Sequence, residues 1–176
     1  MKKTYLILLI IPFLAISACG SNKPKQQATF HIKVPVETKD DVFGCYEKIN
    51  FSAEVSKKMN AIEPWPAKFQ WFCFDDDGTM YNLNQSDHTE YTEDVLWEAF
   101  KKIPKDIAYT IPRKGIIVTV QKSAKQRILW GASKVKGILF RVGNQNIPNG
   151  TLIMSLYSPK VKKHIYHRFL KRVAEY

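Results

Sequence analysis

The alternation of apolar and polar residues divides the chain into short strands and one helix. Residues 30–34 alternate strictly and predict an opening strand, which Pro35 confines to a sheet edge or a strand end. Residues 42–46 and 49–53 read as strand pieces, with 52–59 equally open to a short helical turn. The clearest hairpin joins residues 68–74 to 79–83 through Asp75, Asp76, Asp77 and Gly78, because two aromatic-rich runs flank an Asp-Gly turn. Five more strands are predicted at 116–120, 127–130, 137–142, 151–157 and 164–170, with Asn149-Gly150 and Ser158-Pro159 as turn residues. Residues 93–102 carry the helix. Thr92 can cap it, Glu93 and Asp94 suit its N-terminal dipole end, and Lys101 and Lys102 suit the other. Val95, Leu96, Ala99 and Phe100 form its expected packed face, and Pro104 ends it.

This pattern predicts a mainly β protein with one helix: an antiparallel β-sandwich or partial barrel with the short helix packed on the sheet. Residues 30–176 suit a single domain, since a chain of this length buries about 68–70% of its unfolded surface.

The first residues follow a different logic. A basic tip (Lys2, Lys3) precedes an apolar run over 5–16, interrupted by Pro12, then the small residues Ser17 and Ala18 and a cysteine, Cys19. That is the layout of an export signal. The run falls short of the roughly 20 residues a spanning helix needs. Ile16-Ser17-Ala18-Cys19 resembles the lipobox of bacterial lipoprotein precursors. The resemblance implies removal of residues 1–18, acylation of Cys19, and a lipid bilayer as one partner. Residues 19–29 then form a tether spanning roughly 18 Å. Gly20 directly after the cysteine resembles the pattern released to the outer membrane, which places the domain on its periplasmic face in a Gram-negative cell.

With Cys19 given to lipid, Cys45 and Cys73 remain, and export invites a disulfide between them; two buried free thiols are the alternative. Charge is uneven along the chain. Residues 37–106 hold 15 acidic and 8 basic side chains, whereas 107–176 hold 14 Lys or Arg and one Glu. The basic half could face lipid phosphates or an acidic protein, or the halves could interleave and neutralise each other. Export argues against nucleic acid, and no recognition motif revives it.

Motifs for catalysis are sparse. The acidic turn fails as a calcium loop, because the fifth, sixth and twelfth positions from Asp75 are Thr79, Met80 and Ser86. His164 and His167 lie three apart in a predicted strand and so belong to opposite faces, which argues against a metal pair. No nucleophile elbow or phosphate-cradling glycine loop is present. The expectation is a non-enzymatic protein without cofactor or metal. Aromatic residues cluster around the hairpin. Trp65, Trp71 and Phe72 beside Asp75, Asp76 and Asp77 form a candidate partner-binding edge, against which stands the plainer reading of a strand buried on both sides. The order of lipobox, short tether, an opening strand from Phe30, the acidic turn at Lys39-Asp40-Asp41 and then Cys45 is similar to that of the small immunity lipoproteins of type VI secretion. That similarity implies capture of a toxic effector protein. A structural or assembly lipoprotein of the cell envelope or a secretion system is the alternative.

Overall fold

The computed structural model describes residues 32–62, 67–137, 140–142 and 144–174. The expected export signal over residues 1–18, Cys19, the expected tether over 19–29 and Trp65 lie outside the described residues. Strands β1 (Ile32–Pro35), β2 (Gly44–Lys48), β3 (Phe69–Phe74), β4 (Thr79–Gln85), β5 (Ile107–Arg113), β6 (Ile116–Gln121), β7 (Gln126–Lys136), β8 (Phe140–Val142), β9 (Gln145–Ile147), β10 (Leu152–Ser158) and β11 (Lys163–Arg172) account for most of it. Two helices, α1 (Ala53–Lys58) and α2 (Glu93–Phe100), complete it. Eight strands close into an antiparallel barrel in the order β7, β10, β11, β2, β3, β4, β5, β6 and back to β7. Around the ring each strand pairs with the next barrel strand in sequence, so the topology is up-and-down, with the small hairpin β8–β9 inserted between β7 and β10. Closure removes the exposed edges that an open sheet of this size would carry. β1 adds to the second half of β7, where β6 has ended.

Strand β5 went unread in the sequence because it contains Pro112. The register slips between Thr110 and Arg113, and an irregularity of this kind is where a strand tolerates proline. Of the two readings for residues 52–59, the helix is the one formed, with Ser52 accepting from the Val55 amide.

Period-two alternation sends Tyr46, Phe72, Phe74, Tyr109, Ile117, Trp130, Met154 and Leu170 into one interior cluster. The opposite faces are not left to solvent. Cys45, Trp71, Cys73 and Tyr81 point outward from β2–β4 and are roofed by Leu96 and Phe100 of α2. Ile49, Ile153 and Phe169 form a third cluster with Val142 and Ile147 of the β8–β9 hairpin, against which Val55 and Met59 pack.

α2 starts at Thr92, whose side chain accepts from the Val95 amide, and of the four residues expected on its packed face Leu96 and Phe100 are buried whereas Val95 and Ala99 are exposed. Val95 is 51% exposed, and Glu93, Leu96 and Phe100 are buried. The packed positions are i, i+3 and i+7 counted from Glu93, which the sequence suggested only as a residue suited to the N-terminal end of the helix dipole. Glu93 Oε1 accepts from the Cys45 amide at 3.2 Å and from Trp97 Nε1 at 3.3 Å, and Oε2 lies 3.5 Å from Arg172 Nη2. These partners offset the desolvation of its charge.

The two charged halves of the chain occupy different arcs. β2, β3 and β4 are contiguous, as are β5, β6, β7, β10 and β11. Ion pairs stitch the two halves together: Lys171 to Glu47 at 2.9 Å and Arg172 to Glu93 at 3.5 Å.

Candidate functional site

Half of the barrel interior is packed with apolar side chains and the other half is not. Towards the end where β3 starts and β4 finishes, the inward positions become polar. Gln70 precedes Phe72 and Phe74 on β3, Asn82 and Asn84 follow Met80 on β4, and Thr119 and Gln121 follow Ile117 on β6. Gln126 precedes Ile128 and Trp130 on β7. Together with Arg168 of β11 they enclose a cavity of about 260 Å³. Its floor is Gln70, Phe72, Thr119, Trp130 and Arg168, all buried, and it opens beside the exposed Asn84 and Gln126.

The floor is organised by specific contacts. Trp130 Nε1 donates to Thr119 Oγ1 at 3.1 Å, which fixes the indole as one wall. The Arg168 guanidinium lies 4.4 Å from the Phe72 ring centroid and 5.3 Å from that of Trp130, so its charge is held against aromatic faces. Gln70 is 2% exposed; its Nε2 donates to the Ala67 carbonyl at 3.3 Å, while its Oε1 is buried with no hydrogen-bond partner among the described residues. At the rim, Gln121 Nε2 donates to Asp106 Oδ2 at 3.1 Å and Asn82 Nδ2 to Asn84 Oδ1 at 3.2 Å.

Strand direction decides what surrounds the opening. β6 ends and β7 begins at this end of the barrel, since Gln121 pairs with Gln126; β10 ends and β11 begins there too, since Ser158 pairs with Lys163. The two turns and strand starts carry Lys122, Lys125, Arg127, Lys160, Lys162 and Lys163, all exposed. Six of the 14 basic residues in the second half of the chain thus lie around one mouth.

No family model matches the chain, and neither does any curated protein or solved structure. The site therefore stands on its own geometry.

The residues expected from the sequence fall elsewhere. Cys45 and Cys73 sit directly opposite each other on β2 and β3 with Cα atoms 4.1 Å apart and form a disulfide. Trp71 and Phe72 are 1% and 2% exposed, on opposite sides of β3: Trp71 packs under α2 and Phe72 inside the barrel. Neither ring is available to dock a partner, because β3 is covered on both faces.

Asp75, Asp76 and Asp77 form the β3–β4 turn, with the Gly78 amide donating to the Asp75 carbonyl and Gly78 at φ +90°, a conformation glycine tolerates. The turn is tied down: Tyr109 donates its hydroxyl proton to the Asp75 carbonyl at 2.7 Å, and Lys39 Nζ donates to the Asp76 carbonyl at 3.0 Å. Burial, followed by a hydrogen bond from Asp76, raises the Asp75 carboxyl pKa. Asp77 behaves oppositely, because the Lys105 ammonium and then Thr79 hold it down to about 2 from an ordinary 3.8. With its folded value depressed, this carboxylate stabilises the fold above pH 3.8, and that contribution is lost as pH falls towards 2. In a carbon-detected NMR titration, Lys105→Ala is expected to move the Asp77 midpoint back up towards 3.8; an unmoved midpoint would assign the depression to Thr79 alone.

The histidines correct the sequence reading. The β10–β11 register pairs Leu156 with Tyr166 but Tyr157 with His164, so Ile165 is an extra residue. A bulge of one residue turns a spacing of three into a shared face. The His164 and His167 rings accordingly lie 6.2 Å apart, and His167 Nδ1 is 2.8 Å from Ser155 Oγ. Burial, then the charges of His164 and Lys33, lower the His167 pKa, which keeps a neutral ring on that hydroxyl at neutral pH. Among the described residues, no three His, Cys, Asp or Glu side chains converge as a metal site. The third described histidine, His88, has Nε2 2.9 Å from Glu47 Oε1.

Gln70, Asn82, Gln121, Gln126 and Arg168 were missed by reading the sequence. They share the period-two face of core residues in their own strands, but a polar residue on such a face reads as solvent-facing until both sides of the sheet are known to be covered.

Proposed function

We propose that the chain is a lipid-tethered, non-catalytic binding protein of the bacterial envelope that captures an acidic protein partner through the basic end of its barrel. The partner that best fits the order of its segments is a toxic effector arriving from a neighbouring cell, so that the protein confers immunity. One observation carries this reading: six exposed basic side chains from two neighbouring hairpin turns gather around one end of a closed, disulfide-bonded scaffold. A fixed patch of one sign accelerates encounter with a partner of the other and rejects like-charged ones. The lipobox resemblance supports the tether, and the short linker would hold that patch near the membrane surface. The neutral His167 and its Ser155 partner lie on the outer wall and take no part in this role.

The test is growth in contact. A deletion strain grown beside parental cells is expected to lose fitness, and the wild-type gene to restore it. A gene carrying Lys122→Glu, Lys125→Glu and Arg127→Glu should fail to restore fitness although the protein accumulates normally. Equal fitness of the deletion strain and its parent under contact would overturn the immunity reading. Normal rescue by the charge-reversed gene would move the docking surface away from the barrel mouth.

A further inference from the structure

The cavity behind that mouth does something that a protein-docking surface does not require. An eight-stranded barrel is just wide enough for side chains to fill its interior or to enclose one small ligand. This barrel does the first at one end and leaves a polar chamber at the other. For folding alone, apolar side chains would serve better there, because each buried carboxamide costs free energy unless fully hydrogen-bonded. Gln70 is the sharpest instance, holding an acceptor oxygen in the floor with no donor among the described residues.

We infer that the barrel cavity is a binding site for a small organic anion bearing hydroxyl or amide donors, of the size and chemistry of a sugar acid or a sugar phosphate.

Three features select that class. Arg168 places a guanidinium in the floor, its Nε donating to Tyr166 Oη at 3.4 Å, and a side chain of this kind suits a carboxylate or phosphate. The lone acceptor of Gln70 calls for an O–H or N–H on the ligand, which a bare inorganic anion at neutral pH supplies poorly. Asn82, Gln121 and Gln126, closer to the opening, offer both donors and acceptors, the pattern that suits a ring of hydroxyl groups. Size sets the upper bound, since about 260 Å³ lies below the roughly 300–1,000 Å³ typical of drug-sized ligands. The exposed lysines at the opening would raise the local concentration of any anion that approaches. This site stands apart from the proposed protein partner and can be tested without it.

The test is calorimetric titration of the full chain in detergent with four probes: glucuronate, glucose 6-phosphate, glucose and inorganic phosphate. One or both sugar anions should bind with a stoichiometry of one, and glucose and inorganic phosphate at least tenfold more weakly. Stronger binding of glucuronate identifies a carboxylate ligand, and stronger binding of glucose 6-phosphate a phosphate. In Gln70→Met, affinity for the better sugar anion should fall at least tenfold while the thermal midpoint holds or rises, since the orphaned acceptor is gone. A purely structural Gln70 would give the reverse, a lower midpoint with binding intact. Because Arg168→Gln could disturb the aromatic floor, Asn82→Leu at the wall serves as a second variant and should weaken binding in a folded protein. Failure of both sugar anions to bind at millimolar concentration, equal binding of glucose and glucuronate, or unchanged affinity in both Gln70→Met and Asn82→Leu would overturn the inference.

Discussion

Replacing Trp71 by alanine is expected to lower the unfolding free energy by about 3–5 kcal/mol, the usual cost of removing a large aromatic ring from a core. Trp71 is 1% exposed, packs edge-on against Tyr91 at 5.0 Å between ring centroids, and lies in the same cluster as the disulfide and α2. Truncation would leave a cavity beneath α2 that neighbouring strands, fixed in a closed ladder, cannot collapse to fill. Against a typical total of about 5–15 kcal/mol, the loss would leave a marginal fold. Urea unfolding followed by Tyr and remaining Trp fluorescence measures it. The result also separates two roles for this ring. A docking residue would show a small change in stability, below about 1 kcal/mol, with a large loss of partner binding. Burial on both sides of β3 predicts the opposite.

β3 illustrates how much was legible. Its alternation placed Phe69, Trp71 and Cys73 on one face and Phe72 and Phe74 on the other, and the aromatic content of both faces already raised the possibility of a doubly covered strand. The sequence could not say what supplied the second cover, because that depends on where α2 lands. The hairpin, the disulfide partners and the mainly β class were readable from local signals: an Asp-Gly turn, two leftover cysteines and period-two runs. Closure of the barrel was not, since it is a property of strand count and shear rather than of any one segment. The polar cavity was hidden for the same reason. Asn82 and Arg168 look solvent-facing in isolation and become interior only when eight strands meet. The bulge at Ile165 is a smaller case, in which one unpaired residue reverses the facing of His164 relative to His167.

The ring is not uniformly strong. Acidic and basic arcs meet at two seams, and both are short. β4 and β5 join through Thr79 with Ala108 and Met80 with Ile107, whereas β11 and β2 join through Leu170 with Lys48, Lys171 with Glu47 and Arg172 with Tyr46. Side chains reinforce the second seam: Lys171 reaches Glu47 at 2.9 Å, and Arg172 lies 3.5 Å from Glu93. Arg172 can occupy that position because Gly44, at φ +108°, leaves its guanidinium the space a Cβ would fill. Attraction of this kind adds about 0–1 kcal/mol per exposed pair at the second seam, and salt weakens it.

The Cys45–Cys73 bridge is what secures the weaker flank of that seam, and its removal is the second large effect expected. β2 has only five residues, held on one side by the short β11 ladder and on the other by β3. Its cysteine is bonded to the strand across a separation of 28 residues, which in the chain-entropy model contributes about 3.5 kcal/mol by restricting the unfolded chain. The double variant Cys45→Ala, Cys73→Ala should therefore unfold at markedly lower denaturant, with a loss of about 3–4 kcal/mol once the small volume change is included. The loss should also be local before it is global. In native-state hydrogen exchange, amides of the β11–β2 ladder, Leu170 and Lys48 among them, are expected to lose protection first, while those of the β6–β7 ladder keep theirs until global unfolding. Uniform loss of protection across all strands would mean that the bridge acts only on the unfolded chain. A preferential loss at β2 would show that the native barrel opens there, at the boundary between its acidic and basic arcs, whenever the bridge is absent.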